Sequence, residues 1–527
     1  MSKKFQIAGN CVPELNYMVD ITSRLDEISE MIDQGMYFTI NRARQFGKTT
    51  IMRLLKKHLA DKYEVWGLSF EGLSDKTYED EDIFVRDFLE DILLPKVKDD
   101  FITVQHIHSI LDSPKPTRVT KLGTLFKKIC KSHGRKIVMM IDEVDQACNN
   151  QVFLDFLGIL RNMYLERSDN EPAFQSVILA GVYDIKNIKL KMRNEKDHRY
   201  NSPWNIADEF KVDLSFSPAD IATMLKQYEE DYNLGIDIEW FSTQIYAYTA
   251  GYPFLVSYIC KLLDEDVWKE YEFGSKRTAW TPAGFQRAVN LVLSKKSTLF
   301  EDMIKKLTDF PDLRRLIQTI LLQGIEPSAN IYNHDIQLGI MFGFLKEQDG
   351  KVIVANRIFE THIYNWIISE NKTNSLIFKQ GDAEKYTFIK DGTLDMDRIL
   401  ERFKVHYDTI YSGRDIEFLE REGRFMFLTF LKPIINGVGN YYIESETRDQ
   451  KRTDVIVDYQ GKQFLIELKI WHGEEYQDKG RKQLCDYLDI YHQQKGWLVS
   501  FCFNQKKKDA GIRIQEEAGK IIAEVVI

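Results

Sequence analysis

The chain has no dense cysteine framework, little proline, no excess of positive charge and no long apolar run, and each shortage closes off a class of protein. Its six cysteines, Cys11, Cys130, Cys148, Cys260, Cys485 and Cys502, are scattered over 527 residues with no Cys-x-x-Cys pair and no histidine at zinc-ligand spacing. That excludes a disulfide scaffold and a structural zinc site, and points to a reducing compartment. Only 12 Pro and 29 Gly accompany 44% apolar and 12% aromatic residues, so disordered, collagenous and low-complexity chains are excluded and large cores are expected. A net charge of −9 provides no overall positive field for a polyanion, and any nucleic-acid binding must be local. No stretch approaches the ~18 apolar residues of a membrane span, and the basic start is not followed by the apolar segment of a secretion signal. The expectation is a cytoplasmic protein with no membrane partner, and at about 150 residues per domain the length implies three to four domains.

What is present begins with a short strand-like run, Met36 to Ile40, then Asn41-Arg42-Ala43-Arg44-Gln45-Phe46-Gly47-Lys48-Thr49-Thr50, then a helical pattern from Ile51. Strand, loop and helix in this order suit a phosphate-binding loop. Backbone N–H groups of Gln45 to Thr50 at a helix N-terminus cradle phosphates, Lys48 reaches the β/γ oxygens, and the Thr49 hydroxyl holds Mg²⁺. The first glycine of the Walker A pattern is missing, its place taken by Arg42. A bare Gly-Lys-Thr also begins ordinary basic helices, so a second motif is needed. It comes in Lys136-Ile137-Val138-Met139-Met140-Ile141-Asp142-Glu143, an apolar run ending in two acids. Such a run is a strand buried on both faces of a parallel sheet, and ligands of open α/β sheets lie at the carboxyl ends of the strands. Asp142 is then placed to hold the Mg²⁺ shell and Glu143 to polarise the attacking water.

A third apolar strand, Ser176 to Val182, precedes a basic stretch from Lys186 to Arg199 and then Asn201-Ser202-Pro203-Trp204-Asn205-Ile206. The basic stretch is either a solvated loop, a donor of an arginine to a neighbouring subunit in a homo-oligomer, or a nucleic-acid contact. Together with Ile141 to Asp145, Ala180-Gly181-Val182 and Gly251-Tyr252-Pro253-Phe254, these motifs resemble the AAA-like ATPase domains of prokaryotic STAND-type and archaeal-type NTPases, over roughly residues 10–280. In that family the first Walker glycine is often replaced. The resemblance implies ATP with Mg²⁺, and a helical lid after the sheet whose Gly-x-Pro turn lies near the nucleotide.

Between residues 300 and 368 two helical patterns, Leu313 to Leu322 and Ile336 to Leu345, lead into Asp349-Gly350 and Val352-Ile353-Val354. Helix, helix and hairpin is the order of a winged helix, and Asp-Gly is a hairpin turn signal. The second helix carries few donors for bases or phosphates, so a packing role is the expectation. Glu370 to Asp382 is polar and reads as a linker.

The C-terminal part carries two strand-like runs, Thr453 to Asp458 and Gln463 to Trp471, around Tyr459-Gln460-Gly461-Lys462. A hairpin turn centred between Gln460 and Gly461 places Asp454 opposite Glu467. Facing carboxylates repel, and a buried sheet would hardly retain them without a cation between. Lys469, two residues after Glu467, projects from the same face. Asp, Glu and Lys around one point suit Mg²⁺-assisted phosphodiester hydrolysis, with Asp454 and Glu467 on the metal and Lys469 steadying the nucleophile or the developing charge. The acids interrupt apolar strands, and a downstream helix presents Gln483 and Tyr487 on one face. Glu446, Arg452, Asp454, Glu467, Lys469, Gln483 and Tyr487 resemble the PD-(D/E)XK nuclease superfamily, in its branch fused to AAA-like ATPases, over about residues 400–527. Glu422, counted with the catalytic residues, matches the helix acid that many members add to the metal site; an acid early in a helix is also favoured by the macrodipole alone.

The sequence thus predicts an α/β protein: a P-loop NTPase parallel sheet (1–212), a helical lid (213–295), a winged-helix-like connector (296–370), a linker (371–398) and a C-terminal α/β restriction-endonuclease-like domain (399–527). The expected activity is ATP hydrolysis coupled to Mg²⁺-dependent cleavage of nucleic acid, DNA ahead of RNA, and the fusion suggests prokaryotic defence or mobile-element control. The rival is a STAND-like assembly ATPase whose nuclease-like part binds nucleic acid or protein without cutting.

Overall fold

A computed structural model describes the chain outside residues 1–2, 148–149, 183–203, 205, 324–325, 373–374, 412–419, 436–437, 443–454, 461, 471–473, 492 and 503–511. It divides into two compact units. Unit 1 comprises Met1–Met224 with Tyr252–Phe254 and Met341–Gly343, and unit 2 comprises the rest. None of the described helices is long and apolar enough to cross a membrane.

Unit 1 is built on four strands, β1 (Phe38–Asn41), β2 (Glu64–Ser69), β3 (Ile137–Asp142) and β4 (Ser176–Gly181). They are parallel and ordered β1-β4-β3-β2. Asp208 adds an isolated parallel bridge beside β1, its N–H donating to the Tyr37 carbonyl at 2.8 Å. All six residues of β3 and of β4 are buried, as expected where helices cover both faces of a parallel sheet. One face packs a cluster of phenylalanines, among them Phe70, Phe84, Phe88, Phe126 and Phe156, each fully buried. Burying one such ring contributes about 1.5–3 kcal/mol, so the cluster fixes helices Glu81–Asp87, Thr120–Ser132 and Gln151–Leu165 on that face.

Unit 2 begins inside helix Pro218–Tyr232 and continues through helices Ile238–Thr249, Pro253–Glu265 and Pro282–Ser294. Helices Thr298–Asp309, Pro311–Gln323 and His334–Met341 then lead to a hairpin, β5 (Leu345–Gln348) and β6 (Lys351–Val354), followed by helix Arg357–Lys372. Its turn is Asp349-Gly350 with φ of 51° and 76°, the left-handed pair that a two-residue hairpin requires. The helix that the sequence extends to Leu345 ends at Met341: Gly343, at φ 74°, turns the chain, and Leu345 belongs to β5. The polar tract read as a linker contains helix Leu376–Glu384, capped by Ser375, whose side chain accepts from the Phe378 N–H. A serine ahead of Leu376-Ile377-Phe378 is the signal that could have revealed it. A small hairpin, β7 (Ile389–Lys390) and β8 (Thr393–Leu394), precedes helices Met396–Tyr411 and Glu420–Ile435.

The last sheet has six strands: β9 (Gly439–Tyr442), β10 (Val455–Tyr459), β11 (Lys462–Ile470), β12 (Lys495–Phe501), β13 (Ile512–Glu517) and β14 (Lys520–Val526). Their order is β13-β14-β12-β11-β10-β9. The strands β9, β10 and β11 form an antiparallel meander. Helix Glu474–Ile490 crosses over to make β12 parallel to β11, and β14 continues that direction.

Candidate functional sites

The loop after β1 reaches helix Lys48–Leu59 through Gln45, at φ 57°, and Gly47, at φ 82°. A Cβ added at Gly47 would meet nothing within 4 Å, so the left-handed turn leaves open space beside the helix N-terminus. No side chain caps that end, and its first N–H groups are left for a ligand or water. Lys48 is buried, and its Nζ donates to the loop's own carbonyls, Arg42 O at 2.8 Å and Ala43 O at 3.0 Å. Burial pulls its ammonium below the usual lysine value, opposed by the nearby carboxylates of Asp145, Glu143 and Asp142. Arg42, in the place of the missing glycine, turns its guanidinium away: it donates to Asn41 O and to Val212 O, both at 3.0 Å, and lies over the Phe210 ring.

Asp142 ends β3, buried, and its Oδ1 accepts the Glu143 N–H at 2.9 Å. Glu143 has left-handed backbone, φ 55°, a conformation that costs a non-glycine residue and is found at functional sites. Burial first, then the charge of Asp142, raises its carboxyl above the ordinary glutamate value. Asp145 accepts the Val182 N–H at 2.6 Å, tying the exits of β3 and β4 together. Thr49 is exposed, and Thr50 accepts the Cys11 N–H at 3.3 Å. Phe46 packs edge-on against Tyr252, whose hydroxyl donates to the Arg44 carbonyl. The Gly-Tyr-Pro turn therefore touches the phosphate-loop segment. The basic stretch Lys186 to Arg199 lies outside the described residues, as do Asn201, Ser202, Pro203 and Asn205.

In the C-terminal sheet the described pairs of β10 and β11 are Val455 with Ile466, Ile456 with Leu465, Val457 with Phe464, Asp458 with Gln463 and Tyr459 with Lys462. That is the register dictated by a turn centred between Gln460 and Gly461, and Gln460 has the left-handed φ of 47°. Asp454, Glu446 and Arg452 lie outside the described residues; Glu422 lies in helix Glu420–Ile435, its side chain likewise outside them. Glu467 is fully buried in β11, and Lys469 Nζ stands 2.9 Å from its Oε1. Leu498 and Ser500 of β12 pair with Glu467 and Lys469, so these four share one face. From helix Glu474–Ile490 the buried Gln477 accepts the Ser500 hydroxyl at 2.9 Å. Tyr487 on the same helix is buried and Gln483 partly so. Among the described residues no group of three or more His, Cys, Asp or Glu side chains could hold a metal ion. Glu467 by itself supplies a buried hard oxygen donor, which suits Mg²⁺ but does not complete a site.

Two polar contacts escape sequence reasoning. The Gln477–Ser500 pair spans a crossover, and the Tyr248 hydroxyl donates to Asp458 Oδ2 at 2.8 Å in a buried bond between residues 210 apart. Asp458, the last residue of the strand-like run from Thr453, is 1% accessible.

No curated protein matches the sequence. Among solved structures the chain is similar to a Walker-type ATPase of Pyrococcus abyssi, with 10% identity and a TM-score of 0.44 over 68% of this chain and 99% of that one. It is also similar to the Aeropyrum pernix ORC1 protein in complex with DNA, with 10% identity and a TM-score of 0.28 over 66% of this chain and 93% of that one. The Aeropyrum pernix ORC2 protein, in ADPNP-ADP complexes, gives 10% identity and 0.31 over the same shares. Residues 17–273, which hold the parallel sheet, the Gly47-Lys48 loop and the helices up to Glu265, match the family described as AAA-like domain.

Proposed function

We propose that the AAA-like part binds and hydrolyses ATP and that the C-terminal sheet is a Mg²⁺-dependent PD-(D/E)XK-type nuclease acting on nucleic acid, DNA ahead of RNA. The ATP reading rests on one arrangement: a buried Lys48 at an uncapped helix N-terminus, within the field of Asp142, Glu143 and Asp145. Backbone N–H groups after Gly47 receive phosphate oxygens, and Lys48 exchanges the carbonyls of Arg42 and Ala43 for the β/γ oxygens. When bound, Mg²⁺ neutralises charge on those oxygens, with Thr49 and Asp142 as the residues to hold it. Glu143 takes up and orients the attacking water, its raised basicity suiting it to accept a proton.

The nuclease reading rests on Glu467, fully buried in an apolar strand beside Lys469, and on the β9-β10-β11 meander followed by a helix and a parallel strand. Glu467 is the metal-holding acid and Lys469 the charge-stabilising group; Asp454, Glu422 and Gln483 complete the proposed set. The domain boundaries given above remain part of the same proposal.

The test is incubation of the parent and Lys48→Ala with ATP, and of the parent with single- and double-stranded DNA and RNA, each with and without Mg²⁺. Lys48→Ala should lose ATP turnover by on the order of 10²-fold or more, and the parent should cleave at least one nucleic acid only with Mg²⁺. Unchanged turnover in Lys48→Ala would remove the phosphate-loop assignment. No cleavage of any of the four substrates, with or without ATP, would replace the nuclease with a binding module.

A further inference from the structure

Unit 2 holds a cavity of about 330 Å³ that belongs to neither site described above. It lies between helices Arg357–Lys372, Leu376–Glu384 and Glu420–Ile435, with Tyr459 at the turn end of β10. The strand from Tyr459 back to Val455 spans about 13 Å, so the cavity sits at the opposite end of the hairpin from Glu467.

Three observations mark it as a built site rather than a packing gap. Lys432 lines it, and the Nζ donates to Asn365 Oδ1 at 2.5 Å. That same oxygen also takes the Tyr441 hydroxyl, at 3.4 Å. Among the described residues no carboxylate pairs with Lys432; burial is the cause that pushes its ammonium down to about 8. An ammonium has three hydrogens to donate, and one neutral amide oxygen with the Tyr441 ring 5.9 Å away is a modest return for drawing it partly out of water. Second, the rim is already balanced: Lys385 pairs with Asp382 at 3.0 Å, so the rim cation is compensated while the inner one is not. Third, the walls are fixed. A Cβ on Gly381 would run into the Phe430 carbonyl oxygen, so helices Leu376–Glu384 and Glu420–Ile435 touch backbone to backbone there. The remaining lining is mostly apolar and aromatic, including Ile368, Phe378 and Ile434, as in ligand pockets of this size.

We infer that this cavity binds a small organic anion, one carboxylate or phosphate received by Lys432 on an apolar or aromatic body that packs against Phe378 and Ile368. A free nucleic-acid strand does not fit that description, because its charge repeats at every phosphate whereas, among the described residues, the lining offers one cation without a carboxylate partner.

The experiment is a fluorescence titration of the full chain with 1-anilinonaphthalene-8-sulfonate, an aromatic body with one anionic group. Saturable binding of about one molecule per chain is expected. Its neutral counterpart N-phenyl-1-naphthylamine, and the sulfonate on Lys432→Met, should each bind about tenfold or more weaker, the loss of one charge-assisted contact. Ser369→Trp fills the exposed rim without touching the ammonium, and should also abolish the site; it keeps the test open if Lys432→Met fails to fold. Competition by 1-naphthoate and by 1-naphthyl phosphate then tells which anion is preferred. Absence of saturable binding to the parent, or binding unchanged in Ser369→Trp, would overturn the assignment, as would equal affinity for the neutral probe.

Discussion

In β3 the acid comes last, five apolar residues from Ile137 to Ile141 and then Asp142, whereas in β11 Glu467 stands mid-strand with Leu468, Lys469 and Ile470 still to follow. The positions differ because the two sheets present their chemistry differently. A parallel sheet covered on both faces can open only at the carboxyl ends of its strands, so Asp142 and Glu143 need no break in the apolar pattern. In the mixed sheet the proposed site lies on a face, beneath the helix that brings Gln477 to Ser500, so its carboxylate has to enter an apolar strand and find a cation there. The cations also arrive differently. Lys48 comes from the start of the helix after another strand and rests on backbone carbonyls, while Lys469 comes from the same strand two residues on. The lesson is that the first site is held open by topology and the second by a local charge pair, and the two should fail differently.

The largest difference is expected at the second site. Glu467 is 0% and the Lys469 side chain 27% exposed, and removing one member of a buried pair costs about 3–5 kcal/mol. Lys469→Met should therefore lower stability by that order in a urea melt, while the double variant Glu467→Gln, Lys469→Met recovers most of it. Cleavage should fall by about 10² to 10⁴ in either variant. A Lys469→Met protein as stable as the parent would mean that the pair does not hold the face together, and the contrast with Lys48 would disappear.

A smaller effect is expected from Glu143→Gln: ATP should still bind, with turnover down by on the order of 10². Because burial and Asp142 raise the Glu143 carboxyl, the parent should gain turnover as pH rises through that raised value, where the base loses its proton. The variant has no such group, so a stopped-time phosphate-release profile against pH should lose this limb; if the limb persists, Asp145 is the next acid to examine.

The smallest effect is expected at Arg42. Its guanidinium is engaged with Asn41 and Val212 carbonyls rather than with the space beside Gly47. Restoring glycine by Arg42→Gly should change ATP affinity by less than about threefold while costing about 1–3 kcal/mol of stability, measured by nucleotide titration and thermal melting of the same sample. A large gain in affinity would show that the arginine obstructs the phosphate position.

Much of this was legible from local rules, and the exceptions share a cause. The β10–β11 register follows from a turn centre, because a hairpin pairs residues by their distance from its turn. The strand ending in Asp142 and the Asp349-Gly350 hairpin are equally local. The linker reading failed because composition outweighed the Ser375 cap, and the helix read to Leu345 stops short because Gly343 takes a left-handed turn. Tyr248 with Asp458, and Gln477 with Ser500, carry no pattern at all: neither residue of either pair departs from what its own element requires, and only chain crossing brings them together.

By itself, then, the sequence determined the strand that ends in Asp142, the Asp349-Gly350 hairpin, where the Gly47-Lys48 loop lies, and which residues face each other across the β10–β11 hairpin, since propensity, apolar run length and turn chemistry act over a few neighbours. The tertiary structure decided the parallel order β1-β4-β3-β2, the rotation of Arg42 away from the phosphate loop, the full burial of Glu467 beside Lys469, and the seating of Lys432 with no carboxylate paired to it among the described residues. Those depend on burial and on electrostatic fields from distant segments, and desolvation, which sets the cost of each charge, does not exist until the chain has packed.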